Sequence, residues 1–176
     1  MDALLIGFGE DSHRLAPGRR LVLGSVTIPD APRGADAHSD GDVLIHALSD
    51  AILSSFALGD IGMHFPDSDP AFDGMDSTPI LQGALGMARA AQRDAHLIQV
   101  VAVVTLDEPK LGVHRAAIAG AVAALVGLPT ERVGLTFKTS EGLAPDHVQA
   151  RVVVSWDGSP ARAPGGGGTA SGSQAP

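Results

Sequence analysis

Ala37-His38-Ser39-Asp40-Gly41-Asp42-Val43-Leu44-Ile45-His46 is the stretch on which the reading of this chain turns. Ser39 or Asp40 can cap a helix, because a short side-chain oxygen accepts a hydrogen bond from a first-turn N–H that has no partner inside the helix. His38 then sits just outside the helix start. Asp42, His46 and Asp50 follow at i, i+4 and i+8 and share one face, with neighbouring Cβ atoms about 5–6 Å apart. Val43, Leu44, Ala47, Leu48, Ala51 and Ile52 supply the apolar stripe beside that row. An imidazole between carboxylates is how a metal-binding histidine is commonly held. A helix histidine satisfied by a neighbouring aspartate has the same pattern, so other residues must decide.

Nearer the start of the chain, residues 3–8 are short and apolar and predict a first strand, which runs into Gly9-Glu10-Asp11-Ser12-His13. If the extended backbone continues, Asp11 and His13 point to one side and offer an oxygen and a nitrogen of the kind zinc takes at about 2.0–2.2 Å. Gly7-Phe8-Gly9 is not a dinucleotide loop, since Ser12 stands where a third glycine belongs.

Leu21 to Ile28, around Gly24, predicts a short strand pair, and Pro32 to Ala37 a loop into the central helix, which ends near Ser55 to Leu58. Gly59 to Pro70 holds two glycines, two prolines and three aspartates and reads as a non-helical surface loop, a lid over an acidic pocket. Ser77-Thr78-Pro79 predicts a capped helix to about Asp94. Leu97 to Leu106 is a valine-rich strand whose continuous apolar character predicts burial on both faces. A helix over Val113 to Val126 and strands over Val133 to Phe137 and Val148 to Trp156 complete the order. The expected fold is α/β (α+β), a single-layer mixed β-sheet backed by helices. Residues 1–156 are expected to form one domain and the Gly/Ser/Ala/Pro stretch 157–176 an unstructured tail.

Composition excludes several classes. A net charge of −8 and 3% aromatic residues disfavour nucleic acid. No apolar run reaches membrane-spanning length, no secretory segment opens the chain, and cysteine is absent, so the expectation is a soluble cytoplasmic protein that holds any metal by His and carboxylate. The window from Asp36 to Asp76 contains nine aspartates and no Lys or Arg. Such a concentration favours bound cations, and a phosphorylated substrate needs metal ions between the two sets of anions.

Five motifs occur in order: Asp11-x-His13, the A-H-S-D-G-D-V-x-x-H run of Ala37 to His46, G-D-I-G-x-x-F-P-D-x-D-P at Gly59 to Pro70, Glu108-Pro109-Lys110, and Lys138-Thr139-Ser140-Glu141. Together they resemble the 2-C-methyl-D-erythritol 2,4-cyclodiphosphate synthase family over Leu4 to Trp156. The resemblance implies a cyclisation of 4-diphosphocytidyl-2-C-methyl-D-erythritol 2-phosphate with release of CMP, in non-mevalonate isoprenoid precursor biosynthesis. It implies that Asp11, His13 and His46 bind Zn2+, and that Glu141 binds a second divalent cation, Mg2+ or Mn2+.

On the same resemblance, His38 and Thr139 stabilise the transition state, and Ser39 holds the 2-phosphate. Asp60, Ile61, Gly62, Phe65, Pro66, Asp67, Ser68 and Asp69 contact the methylerythritol side. Leu106, Lys110, Leu111, Gly112, Lys138 and Ser140 belong to the cytidine and diphosphate side; Lys110 and Lys138 are the chain's only lysines. The family assembles as a homotrimer with active sites between subunits. Pro145 and Val148 stand where many relatives carry a Phe and an Arg that hold a diphosphate on the trimer axis. The alternative activity is a zinc-dependent phosphohydrolase of a nucleotide diphosphate, with Asp42 or Asp50 as the base beside a metal-activated water.

Overall fold

The computed structural model describes residues 4–66 and 74–159. The strands are β1 (Leu4–Pro17), β2 (Val22–Leu23), β3 (Val26–Thr27), β4 (Arg33–Ala35), β5 (His96–Leu106), β6 (Val133–Lys138) and β7 (His147–Asp157). The helices are α1 (Val43–Ser54), α2 (Ile61–His64), α3 (Thr78–Ala91) and α4 (Arg115–Val126). Five strands make one mixed sheet in the order β4-β1-β7-β5-β6, and β2 and β3 make a separate hairpin. β5 and β6 run parallel, while β1 pairs with β7 and β4, and β5 with β7, antiparallel. The expected α+β sheet backed by helices is the observed architecture.

One face of the sheet carries the core. Along β1 the odd positions Leu5, Gly7, Gly9, Asp11, His13 and Leu15 face inward and the even positions outward. Val100, Ala102, Val104 and Leu106 of β5 and Val148, Ala150, Val152 and Val154 of β7 are buried on the same side as α1 and α4. The opposite face stays open on this chain: Ile6, Phe8, Val101 and Val153 are all exposed.

α1 lies unusually close to β1 because the strand presents glycine to it. A Cβ on Gly9 would lie 2.1 Å from the Ala47 carbonyl oxygen, and one on Gly7 would lie 1.8 Å from that of Ala51. Both distances are far inside contact, so only glycine permits this approach. At the far end of α1, Ser54 Oγ accepts the Phe8 N–H at 3.0 Å, and Trp156 Nε1 donates to Ser55 Oγ at 3.1 Å.

Several boundaries differ from expectation. The first strand does not stop near Gly9 but runs to Pro17, because β7 pairs with it as far as Arg14 opposite His147. The loop over 32–37 contains β4, which pairs with the end of β1. Asp42, rather than Ser39 or Asp40, caps α1. Its carboxylate accepts from the N–H groups of Leu44 and Ile45 and also from those of Gly24 at 2.9 Å and Ser25 at 2.6 Å.

The loop over 59–70 is not wholly non-helical. Asp60 caps the single turn α2 by accepting from Met63 N–H, and Asp50 Oδ1 accepts from Ile61 N–H at 2.7 Å. β5 is not buried on both faces: its valines alternate between core and open face, since one layer of sheet has helices on one side only. The rest of that loop, residues 67–70, and residues 160–176 of the expected tail lie outside the described residues, while Asp157, the first residue of that expected tail, is the last residue of β7.

The close packing makes a signed prediction. Gly9→Ala lowers stability by about 1–3 kcal/mol through overpacking, whereas Gly86→Ala, where an added Cβ meets nothing within 4 Å, raises it by up to about 1 kcal/mol. Urea midpoints of the two variants test this; a Gly9→Ala midpoint equal to or above wild type contradicts the packing described.

Candidate metal centre

Asp11 and His13 leave β1 on the face that carries Gly7 and Gly9, and His46 leaves α1 one residue before Ala47, whose carbonyl rests on Gly9. The glycine contacts therefore set the register that brings these three side chains together. Asp11 Oδ2 lies 3.0 Å from His13 Nε2 and 3.0 Å from His46 Nδ1, and the two ring nitrogens are 3.4 Å apart. Ligands at about 2.1 Å from a tetrahedral ion stand about 3.4 Å from one another, so this trio matches three corners of a zinc site. Among the described residues these three are the one group of His, Asp and Glu side chains whose ligand atoms converge in this way.

The electrostatics follow from the crowding. Burial alone would raise the Asp11 carboxyl, but hydrogen bonds and positive charge from His13 and His46 overcome it and hold the group well below the usual carboxylate range. Burial would lower His46, but the Asp11 carboxylate beside it raises it instead. The second ring nitrogen of His46 lies 2.9 Å from Ser77 Oγ.

The trio heads a cleft of about 360 Å³ lined also by His38, Ser39, Asp50, Ile61, Gly62 and Phe65. These include the expected phosphate and methylerythritol positions. His38 is exposed at its edge, and Ser39 Oγ accepts from Gly41 N–H at 3.2 Å. Phe65 packs against α3 where Gly83 leaves room for its ring. Asp60 and Pro66 are exposed beside this wall. Asp67, Ser68 and Asp69 fall outside the described residues.

Asp42 is not part of the chelating row. It is fully buried as the cap of α1, and its oxygens are taken by backbone N–H groups, which removes it as a base for water activation. Asp50 does face the cleft, with one oxygen held by Ile61 N–H.

Thr139, Glu141 and Lys110 line a different cleft, with Arg33, Asp107 and Glu108. Thr139 Oγ1 donates to Glu141 Oε1 at 2.6 Å, and Lys110 Nζ donates to the Asp107 carbonyl oxygen at 3.2 Å. Glu141 has a positive φ of 57°. Ser140 N–H and Oγ both donate to the Asp107 carboxylate, at 2.5 and 2.7 Å. Those bonds hold the Asp107 carboxyl below its ordinary range. Lys138 is exposed at the end of β6, and Gly112 is exposed beyond Lys110. Leu106 and Leu111 are buried in the core. Val148 is likewise in the core, and the Pro145 carbonyl accepts from Arg33.

Sequence reasoning missed Ser77 and Asp107. Ser77 reads as an ordinary cap, and no local pattern announces that Asp107 reaches a serine 33 residues later.

Burial, then the charges of Asp60 and Asp11, raises the Asp50 carboxyl above its usual 3.8. Its ionised form is thus disfavoured in the folded chain, so this group costs stability above the raised value and ceases to do so as pH falls toward 3.8. Asp50→Asn keeps the acceptor for Ile61 N–H. It raises the urea midpoint of the metal-free protein at about pH 7, and the gain shrinks toward about pH 4. A lower midpoint at neutral pH, or a difference independent of pH, contradicts this.

Comparison with known proteins matches residues 4–156 to the model of the YgbB family. A 2-C-methyl-D-erythritol 2,4-cyclodiphosphate synthase of Thermus thermophilus is 58% identical over 153 residues, covering 87% of this chain and 99% of the relative. One of Deinococcus radiodurans is 58% identical over 149 residues, covering 85% and 91%. A solved structure of such a synthase in its CDP-bound form superimposes with a TM-score of 0.81 at 56% identity, over 86% of this chain and 99% of that one. The chain is a member of the YgbB family of 2-C-methyl-D-erythritol 2,4-cyclodiphosphate synthases.

Proposed function

We propose that this protein converts 4-diphosphocytidyl-2-C-methyl-D-erythritol 2-phosphate to 2-C-methyl-D-erythritol 2,4-cyclodiphosphate and CMP. The observation that carries the reading is the convergence of Asp11, His13 and His46 at the head of a cleft lined by His38, Ser39 and Ile61, in a chain 58% identical to named synthases. In this reaction an oxygen of the 2-phosphate forms a bond to the β-phosphorus, the bond from that phosphorus to the bridging oxygen breaks, and CMP leaves with the electron pair. The nucleophile is already an anion, so the protein has no proton to remove; its task is positioning and charge neutralisation.

Asp11, His13 and His46 would hold Zn2+, and Glu141 a second divalent cation, Mg2+ or Mn2+; bound there, such ions supply Lewis-acid neutralisation of the diphosphate. His38 and Thr139 donate to phosphate oxygens as charge shifts toward the leaving group. Ser39 orients the 2-phosphate. Asp60, Ile61, Gly62 and the segment Phe65 to Asp69 orient the methylerythritol. Lys110 and Lys138 offset phosphate charge on the cytidine side, with Ser140 and the backbone of Leu106, Leu111 and Gly112.

The working form is a homotrimer with active sites between subunits. Two observations support this. The candidate zinc cleft and the Thr139–Glu141 cleft are separate on one chain, and a site between subunits would bring such clefts of two copies together. The open sheet face carries Ile6, Phe8, Val101 and Val153, the kind of apolar surface that marks an interface.

The test is turnover with Mg2+ present, following CMP and the phosphorus NMR of the other product, for wild type and His46→Ala. Wild type yields the cyclic diphosphate, and the variant loses at least about 10²-fold in kcat through loss of the metal's several kcal/mol. Wild-type kcat in His46→Ala contradicts the zinc assignment, and a linear product contradicts the reaction.

A further inference from the structure

The two ring nitrogens of His46 meet different surroundings. Nδ1 faces Asp11 Oδ2 at 3.0 Å and His13 Nε2 at 3.4 Å. Nε2 points away from them, to Ser77 Oγ at 2.9 Å. Ser77 Oγ lies in turn 2.5 Å from Asp40 Oδ1. Ser77 is 1% exposed, and although it stands at the N-cap of α3 its side chain makes no capping bond. Its hydroxyl is committed to the line from Asp40 to His46.

That line has a direction. A carboxylate can only accept, so the single hydroxyl hydrogen goes to Asp40 and Oγ is left as an acceptor. Facing an acceptor, Nε2 must carry a hydrogen, and the lone pair that can bind a metal is left to Nδ1. Ser39 Oγ is also near Nε2, but at 3.4 Å it is a longer and weaker contact than Ser77 Oγ at 2.9 Å. Asp40 is itself fixed: its oxygens also accept from the N–H groups of Asp42 at 3.1 Å and Ser77 at 3.3 Å, and its own N–H donates to the Met75 carbonyl at 3.0 Å.

We infer that Asp40 and Ser77 are positioning residues that fix the tautomer of His46 and assign Nδ1, not Nε2, as its metal-binding nitrogen. The inference rests on reading Asp11, His13 and His46 as zinc ligands. It also explains why the start of α3, far along the chain from α1, is tied by hydrogen bonds to the loop before α1.

The test measures zinc affinity by chelator competition for wild type, Ser77→Ala and Asp40→Asn, with the imidazole 15N spectrum of zinc-loaded wild type alongside. Asp40→Asn is nearly isosteric but places an amide that can donate toward Ser77, which frees the hydroxyl to turn its hydrogen onto Nε2. Both variants bind zinc about 10–100-fold more weakly, and the spectrum of wild type shows zinc on His46 Nδ1 and hydrogen on Nε2. Zinc on Nε2 in wild type overturns the inference without any variant. So does a variant set whose melting temperature falls while zinc affinity stays within about twofold, the behaviour of a purely structural bond. Wild type that binds no zinc overturns the metal assignment itself, a result distinct from either.

Discussion

The contact between α1 and β1 at Gly7 and Gly9 is the constraint from which the rest of the candidate site follows. With the Ala47 and Ala51 carbonyls against the two glycines, the helix cannot slide or rotate without losing the fit. That fit decides where one turn of α1 and the next two inward positions of β1 meet. His46 thereby arrives beside Asp11 and His13 on a helix and a strand that are both packed into the core, the kind of rigid support a metal site requires. The glycine pair is thus a packing device, and its chemical importance is indirect.

A second layer of order surrounds the trio. Asp42 joins the start of α1 to the hairpin of β2 and β3 through Gly24 and Ser25, and Asp50 joins its middle to α2. The negative window therefore divides into parts. Asp42 is consumed by backbone donors, Asp40 is held among N–H groups and the Ser77 hydroxyl, and Asp50 is left facing the cleft beside Asp11 of β1, which lies outside the window. Counting aspartates along the chain overstates the charge that a phosphate would meet.

Much of this was legible in the sequence. The i, i+2 spacing of Asp11 and His13 requires only that the backbone be extended, and the order of elements follows from apolar runs and Gly/Pro breaks. The start of α1 was not legible, because Ser39, Asp40 and Asp42 are all competent caps and the choice falls to Asp42 through N–H groups of the distant Gly24 and Ser25. The second half of β1 is polar and looks like a loop until β7 pairs with it. The valines of β5 read as buried on both sides, whereas one chain covers only one side. Ser77 reads as a cap, since nothing local reveals that His46 and Asp40 claim its hydroxyl. Except at β5, where one chain lacks the second covering layer, a partner far away in sequence outweighed a sound local preference.

What separates this cyclisation from hydrolysis is that two ends of one substrate are joined and no water enters the reaction. Running the turnover in 18O-labelled water and reading the phosphorus NMR of both products tests this most directly. The expected products are CMP and a cyclic diphosphate, neither showing the isotope shift of a solvent-derived oxygen. One labelled oxygen on a phosphorus of either product would contradict it and identify the chemistry as hydrolysis.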